Sequence, residues 1–429
     1  MPPEPRGSEP YIGTERPSLL TNMSWLAVSN AAVKPFWFLF ITAACMRYLG
    51  VEEYGVLSAA MSLTAIATSF VDLGMSQYSI REVSKDPDVA SSHFTNFMSL
   101  RVANSMFGWI AALATAAVLG YQGSALGAVA FAGVYVFSLN LTEYCRSFYR
   151  AFEKLKHESI LLVFEKILVV GGGLVFLLAT QSAQWTLAGM AGGMVVITGV
   201  NMWWIHRRLA PVRPAQFQWT FLKKSLPIMI PFGLAGLFTN IYYKVDVVMI
   251  EAYLGAGPTG QYGAAYRILE ALNALPTIVS IAAVYPRLAR LHGERNHAAF
   301  RRLLKKSSAG LIGIGFVVAV VLTAFAPLVI RLLDPNPAFG ASAGALQILV
   351  WSFPLLCANS LLYAALVTMD DQKLLAGFLG GAVVANIAMN VFLIPAYGIG
   401  GAAVATVASE VLLIVVYSAR YVHRQKPSF

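Results

Sequence analysis

Two stretches of this chain carry no charged residue at all, Val102 to Thr142 and Ser307 to Ile330. Crossing the hydrocarbon core of a bilayer takes about 20 predominantly apolar residues in helical form. The second stretch is therefore long enough for one span and the first for a hairpin of two. Composition points the same way. Charged residues make up 12% of the 429 residues and hydrophobic residues 57%, whereas a soluble domain carries about 25% charged residues. The chain is an integral membrane protein by these measures, and a soluble enzyme or nucleic-acid-binding domain is excluded.

Marking apolar runs and breaking them at Gly, Pro and charge clusters predicts an all-α protein of about twelve transmembrane helices. The first six fall near 21–45, 54–78, 93–119, 125–149, 158–180 and 185–206. After a basic link, Arg207 to Lys224, the second six fall near 222–254, 258–285, 308–332, 343–368, 374–394 and 399–421. Met1 to Leu20 is polar and rich in Pro and Glu, without the basic-then-apolar layout of a secretory signal. It reads as a loose N-terminal tail, with one bundle over 21–212 and another over 213–429. Cys45, Cys145 and Cys357 are odd in number and far apart, which suggests small buried residues rather than a disulfide frame or a metal cluster.

Cytoplasmic loops retain Lys and Arg while translocated loops lose them. With the N-terminus inside, 25 of the 31 basic residues fall on the inner side and only Arg47 and Arg331 on the outer. Both termini are then expected in the cytoplasm of a multi-pass cell (inner) membrane protein. The same asymmetry accounts for the formal charge of +10 without a nucleic-acid partner, and anionic lipid is an expected neighbour.

The halves resemble each other. Leu49-Gly50 followed by Tyr54-Gly55 recurs as Leu254-Gly255 followed by Tyr262-Gly263. An even number of spans per unit makes such repeats parallel, which predicts two six-helix bundles around a central cavity, a body suited to alternating access. Gly255, Gly257 and Gly260 match a dinucleotide-type spacing, but no strand precedes them. No Gly-rich loop ending in Gly-Lys-Ser/Thr exists to bind ATP, so uphill movement needs an ion gradient or a downhill sink. Gly171 to Gly173 and Gly189 to Gly193 read as close helix packing.

Ionisable residues inside spans carry the functional signal, because each costs about 2.5 to 3.5 kcal/mol at a helix centre and must face a cavity or a partner. Lys34 and Lys244 each follow an Asn by four residues, so Asn30 and Lys34, and Asn240 and Lys244, share helix faces. Prolines lie beside or before both, and interrupted helices at corresponding places in two repeats point to a substrate site. Snorkelling is the alternative for these lysines. Asp246 is turned about 200° from Lys244 and shares a face with Tyr242 and Tyr243, a cluster able to hold a proton or Na+, or else a structural hydrogen bond. Arg267 and Glu270 are three apart and can bridge. Lys166, Glu165, Asp72 and Glu410 complete the set. The expected cationic substrate site is Lys34, Lys244, Arg267 and Lys166. Asp246, Glu270 and Asp72 are the ion-coupling candidates, with Asn30, Asn240 and Tyr242 as polar wall.

Arg47-Tyr48-Leu49-Gly50, Tyr54-Gly55, Asp72-Leu73-Gly74 and Arg81-Glu82 resemble the N-terminal signature of bacterial and archaeal polysaccharide flippases, members of the multidrug, oligosaccharidyl-lipid and polysaccharide exporter superfamily. In the second half Asp246, Gly255, Gly260, Tyr262, Pro276 and Pro286, then Asn386, Asn390, Pro395, Tyr397-Gly398-Ile399 and Gly401, are similar to the same family. The resemblance implies carriage of a polyprenyl-diphosphate-linked oligosaccharide across the bilayer, possible Na+ or H+ coupling, a functional monomer and glycan polymerase or synthase partners. Cavity-facing cations would neutralise the diphosphate. Related lipid II flippases have two further spans that this chain lacks, which disfavours peptidoglycan precursor as cargo. A small-molecule exporter of the same superfamily is the rival transporter and should show an acidic or aromatic cavity. A membrane glycosyltransferase or polymerase would need a reactive pair near its substrate, and the short outer loops offer none.

Overall fold

The computed structural model describes residue 29 and residues 33–425, which form helices with no strand among the described residues. The tail expected over 1–20 and the candidate Asn30 lie outside the described residues. Twelve spans cross in two six-helix bundles. Phe107, Val118, Leu332 and Phe392 are among the large apolar side chains left exposed, as the faces of a protein solvated by lipid tails require.

Span 1 ends through a π-helical turn, Leu39–Ala44, and turns into span 2 at Gly50, whose φ of 73° and ψ of 177° reverse the chain inside a single hydrogen-bonded helix, Cys45–Ala67. Span 7, Trp219–Leu254, turns into span 8, Ala256–Leu272, at Gly255 with φ 81° and ψ −174°. The repeated Leu-Gly motif is thus a repeated backbone conformation at a φ that side chains rarely adopt. Gly398, φ 61°, makes a third such reversal between spans 11 and 12 within Gln372–Gln425.

Span 2 is interrupted, whereas span 8 stays helical and carries a π-helical turn. The helix of span 2 stops at Ala67 and restarts as Met75–Lys85. Asp72 explains the restart: its carboxylate accepts from the backbone N–H groups of Gly74 and Ser76, at 3.3 and 3.2 Å, and from the Ser76 hydroxyl at 2.6 Å, a side-chain cap for helix donors that lack intrahelical partners. The apolar pattern expected over 54–78 carried no sign of this break. Span 8 continues through Ala274–Ile278 and a π-helical turn, Val279–Val284, into Tyr285–Gly293. Span 10 bends by 43° between Pro337–Leu349 and Ser352–Thr368.

The bundles touch at both ends. At the Gly50 and Gly255 end, spans 2 and 8 approach so closely that a Cβ on Gly55 would strike the Ala256 carbonyl and one on Gly260 the Val51 carbonyl. Arg47 donates from Nε to the Leu333 carbonyl at 2.9 Å and from its terminal nitrogen to that of Leu332 at 3.0 Å, satisfying carbonyls at the C-terminus of span 9. At the basic end, Gly233 of span 7 lies against the Leu73 backbone in the break of span 2. Leu222 and Met229 are buried there among Phe94, Phe97 and Phe148 of the first half.

Candidate functional site

Between these contacts lies a cavity of about 310 Å³ whose wall comes from spans 1, 2 and 4 of the first half and spans 7 and 8 of the second. Asn240, Lys244 and Arg267 line it on one side and Asp72, Tyr135 and Asn140 on the other. Lys244 donates to Glu270 Oε1 at 2.9 Å, and Arg267 donates to Glu270 Oε2 at 2.7 Å. One carboxylate thus holds two cations from neighbouring helices. With all three ionised the group keeps one net positive charge beside the cavity. Glu270 binds these two cations directly and has no neutral cage of donors around it.

The other expected cations are placed elsewhere. Lys34 is exposed and is not among the residues lining the cavity. Lys166 pairs with Glu165 at 2.8 Å and sits 4.8 Å from the Trp37 ring centroid. It neutralises a buried carboxylate within the first bundle and does not line the cavity. Arg146 bonds the same Glu165 and also Glu143.

Asp72 lines the cavity but is already engaged as the cap described above and is ion-paired with Arg101. Arg101 is 2% exposed. It donates to the Asn140 carbonyl at 2.6 Å and lies 4.8 Å from the Tyr144 ring centroid. Four hydrogen-bond donors fix this carboxylate, so its role as placed here is to build the broken helix rather than to stand ready for an ion. The insertion cost that singled Asp72 out is met by Arg101, a partner 29 residues away in the chain.

Asp246 is 3% exposed and sits in a cage of neutral donors. Tyr262 and Thr406 donate their hydroxyls to Oδ2 at 2.9 and 2.7 Å, and Asn390 donates to Oδ1 at 2.7 Å while also donating to Asn386 Oδ1 at 3.0 Å. Spans 7, 8, 11 and 12 meet here. Tyr242, expected in this cluster, instead donates to Glu410 Oε1 at 2.8 Å. It lies one turn along span 7, where span 12 presents Glu410 within reach, and spans 8, 11 and 12 supply the partners of Asp246. An Asn pair four residues apart in an apolar helix, Asn386 and Asn390, was the sequence signal for this cage, since both amides occupy one face. Thr406 gave no such signal. Among the described residues no group of three or more His, Cys, Asp or Glu side chains is placed to hold a metal ion.

Two helical bundles and a cavity between them fit a multi-pass membrane transporter or flippase of the multidrug, oligosaccharidyl-lipid and polysaccharide exporter superfamily. A family model described as "Polysaccharide biosynthesis protein" matches residues 19–292, and a second, "MatE", matches residues 231–392. The chain belongs to the polysaccharide biosynthesis protein family. No curated protein matches it by sequence. Among solved structures it is similar to the lipid II flippase MurJ in an inward closed conformation, with TM-score 0.74 and 15% identity over 93% of this chain and 87% of that one. It is also similar to the MATE multidrug transporter DinF-BH in complex with R6G, with TM-score 0.65 and 14% identity over 98% of each chain. An inward-facing multidrug resistance transporter of the same superfamily gives 0.64 and 15%, over 91% of this chain and 95% of that one. These likenesses speak for the fold.

Proposed function

We propose that the protein is a flippase that moves a polyprenyl-diphosphate-linked oligosaccharide from the inner to the outer leaflet by alternating access. Both termini stand on the cytoplasmic side, where the basic residues cluster. The observation that supports this reading is the central cavity, to which Lys244 and Arg267 present two cations tied to a single carboxylate. A diphosphate can take the place of Glu270 against both cations, and charge-assisted bonds from Arg and Lys are the strong class of phosphate contact. The sugar then occupies the polar wall around Asn140 and Asn240 while the polyprenyl tail stays in lipid. Movement requires one set of end contacts to open while the other holds, either Gly55 with Gly260 or Gly233 with Leu73.

Coupling belongs at Asp246. Its carboxylate lies among oxygen and amide groups of Thr406, Tyr262, Asn386 and Asn390 with no cationic side chain bonded to it, and that suits a proton or Na+ in a way that Asp72 and Glu270, already bonded to cations, do not. The functional unit is a monomer, acting beside glycan polymerase or synthase proteins. The superfamily's small-molecule export chemistry is the competing outcome of the test.

The experiment is reconstitution in proteoliposomes with a fluorescent lipid-linked oligosaccharide and imposed Na+ or H+ gradients. Wild type should flip the lipid in a gradient-dependent manner. The double variant Lys244→Ala/Arg267→Ala should fall by about a hundredfold or more, in line with loss of close charge pairs. Asp246→Asn should lose the gradient dependence. Full flipping by the double variant, or transport of an organic cation dye with no movement of the lipid-linked sugar, would overturn the proposal.

A further inference from the structure

A second cavity, of about 180 Å³, lies wholly inside the second half, between spans 7, 8, 10, 11 and 12, apart from the central one. Glu410 of span 12 stands in its wall and is 2% exposed. Both of its carboxylate oxygens accept: Oε1 from the Tyr242 hydroxyl at 2.8 Å and Oε2 from Asn359 Nδ2 at 2.7 Å. Accepting on both oxygens suits the ionised form, yet among the described residues no Lys, Arg or His pairs with it. A buried carboxylate without a counter-charge is costly, several kcal/mol by any accounting, so something positive, a proton or a cation from the cavity, must answer it.

The rest of the wall indicates what. The Oδ1 atoms of Asn359 and Asn273, both on this cavity, are buried and accept no hydrogen bond, and Asn359 is 6% exposed. Buried acceptors without a donor are uncommon. The wall therefore offers two unmet acceptors beside an unneutralised carboxylate. It also offers aromatic faces: Tyr243, Tyr363 and Tyr417 line the space, the last two with ring centroids 6.4 Å apart. A bare metal ion would leave these rings without a role and asks for a tight shell of oxygens. A protonated amine uses every feature, since its N–H groups donate to the amide oxygens, its charge answers Glu410, and its body lies against tyrosine faces that attract cations.

We infer that this pocket is a binding site for a small protonated amine, separate from the site for the transported lipid. The inference does not rest on the flippase reading, because none of these residues lines the central cavity.

The test is calorimetric titration of the full-length protein in nanodiscs with n-propylammonium chloride, with sodium chloride as ion control. Wild type should bind the amine saturably. Glu410→Gln, which keeps shape and neutralises charge, should weaken binding by about tenfold or more, equivalent to one counter-charge interaction of ordinary strength. Tyr363→Ala should weaken it by about threefold. Trp203→Ala, exposed on the first half, should bind the amine as wild type does. Melting temperatures measured alongside separate lost binding from lost folding. Equal binding in wild type and Glu410→Gln, no saturable binding in folded wild type, or displacement of the amine by sodium at comparable concentration would each overturn the inference.

Discussion

The two halves of the molecule answer buried carboxylates in opposite ways. In the first half Glu158, 2% exposed, is held by Arg150 at 2.6 Å, and Glu165, 1% exposed, by Arg146 and Lys166. In the second half Asp246 and Glu410, equally deep, are held by hydroxyls and amides alone. Glu270, facing the seam between the halves, has two cations, and Asp371, in the turn after span 10, is held by Arg420 and Arg424. The first bundle is thus internally neutralised and stays as built. The second holds Asp246 and Glu410 by neutral groups, while the seam keeps a surplus of positive charge.

That contrast can be broken most sharply through the first bundle. Arg146→Met leaves Glu165 with Lys166 alone and should lower stability by about 1.5 to 3 kcal/mol, the range for a lost hydrogen bond to a charged group. Reversible denaturation in mixed micelles measures it. Asp246→Asn and Glu410→Gln should each change stability by about 1 kcal/mol or less, or raise it, because they remove charges that have no partner to strand. Losses as large as that of Arg146→Met would erase the distinction between the halves.

The smallest effect is expected at the basic end of the second bundle, outside the membrane. Asp371, in the turn after span 10, accepts from Arg420 at 2.7 and 2.9 Å and from Arg424 at 2.7 and 3.0 Å. These hydrogen bonds hold its carboxyl well below the usual carboxylate range. A carboxyl depressed in the folded state contributes stability that is complete above its unfolded value, about 4. That stability is lost as pH falls through the lower folded value. The melting temperature of wild type should therefore drop on acidification below pH about 4 by slightly more than that of Asp371→Asn.

Much of the architecture was legible because the bilayer permits few alternatives. An apolar run of span length can only cross, and a Leu-Gly step repeated at the same place in two halves marks the same reversal, at Gly50 and Gly255. Charges inside spans were legible as costly, but cost alone does not say how it is met. Lys244 and Arg267 meet it at a cavity with Glu270, Lys166 meets it at Glu165, and Asp72 at Arg101. Each arrangement has the same signature along the chain. Tyr242 was grouped with Asp246 by helix periodicity, which describes one helix. Its actual partner, Glu410, is 168 residues away.

The sequence by itself determined that this chain lives in a membrane, about how many times it crosses, and that it is built as two helical bundles. Hydrophobic length, charge placement and glycine positions are local properties, and a nonpolar solvent enforces them locally. Only the tertiary structure decided which buried charges face open space, which carboxylates lack a counter-ion, and where the two bundles touch. Those outcomes depend on the rotation of each helix about its axis and on neighbours brought together from distant parts of the chain, which no single span encodes.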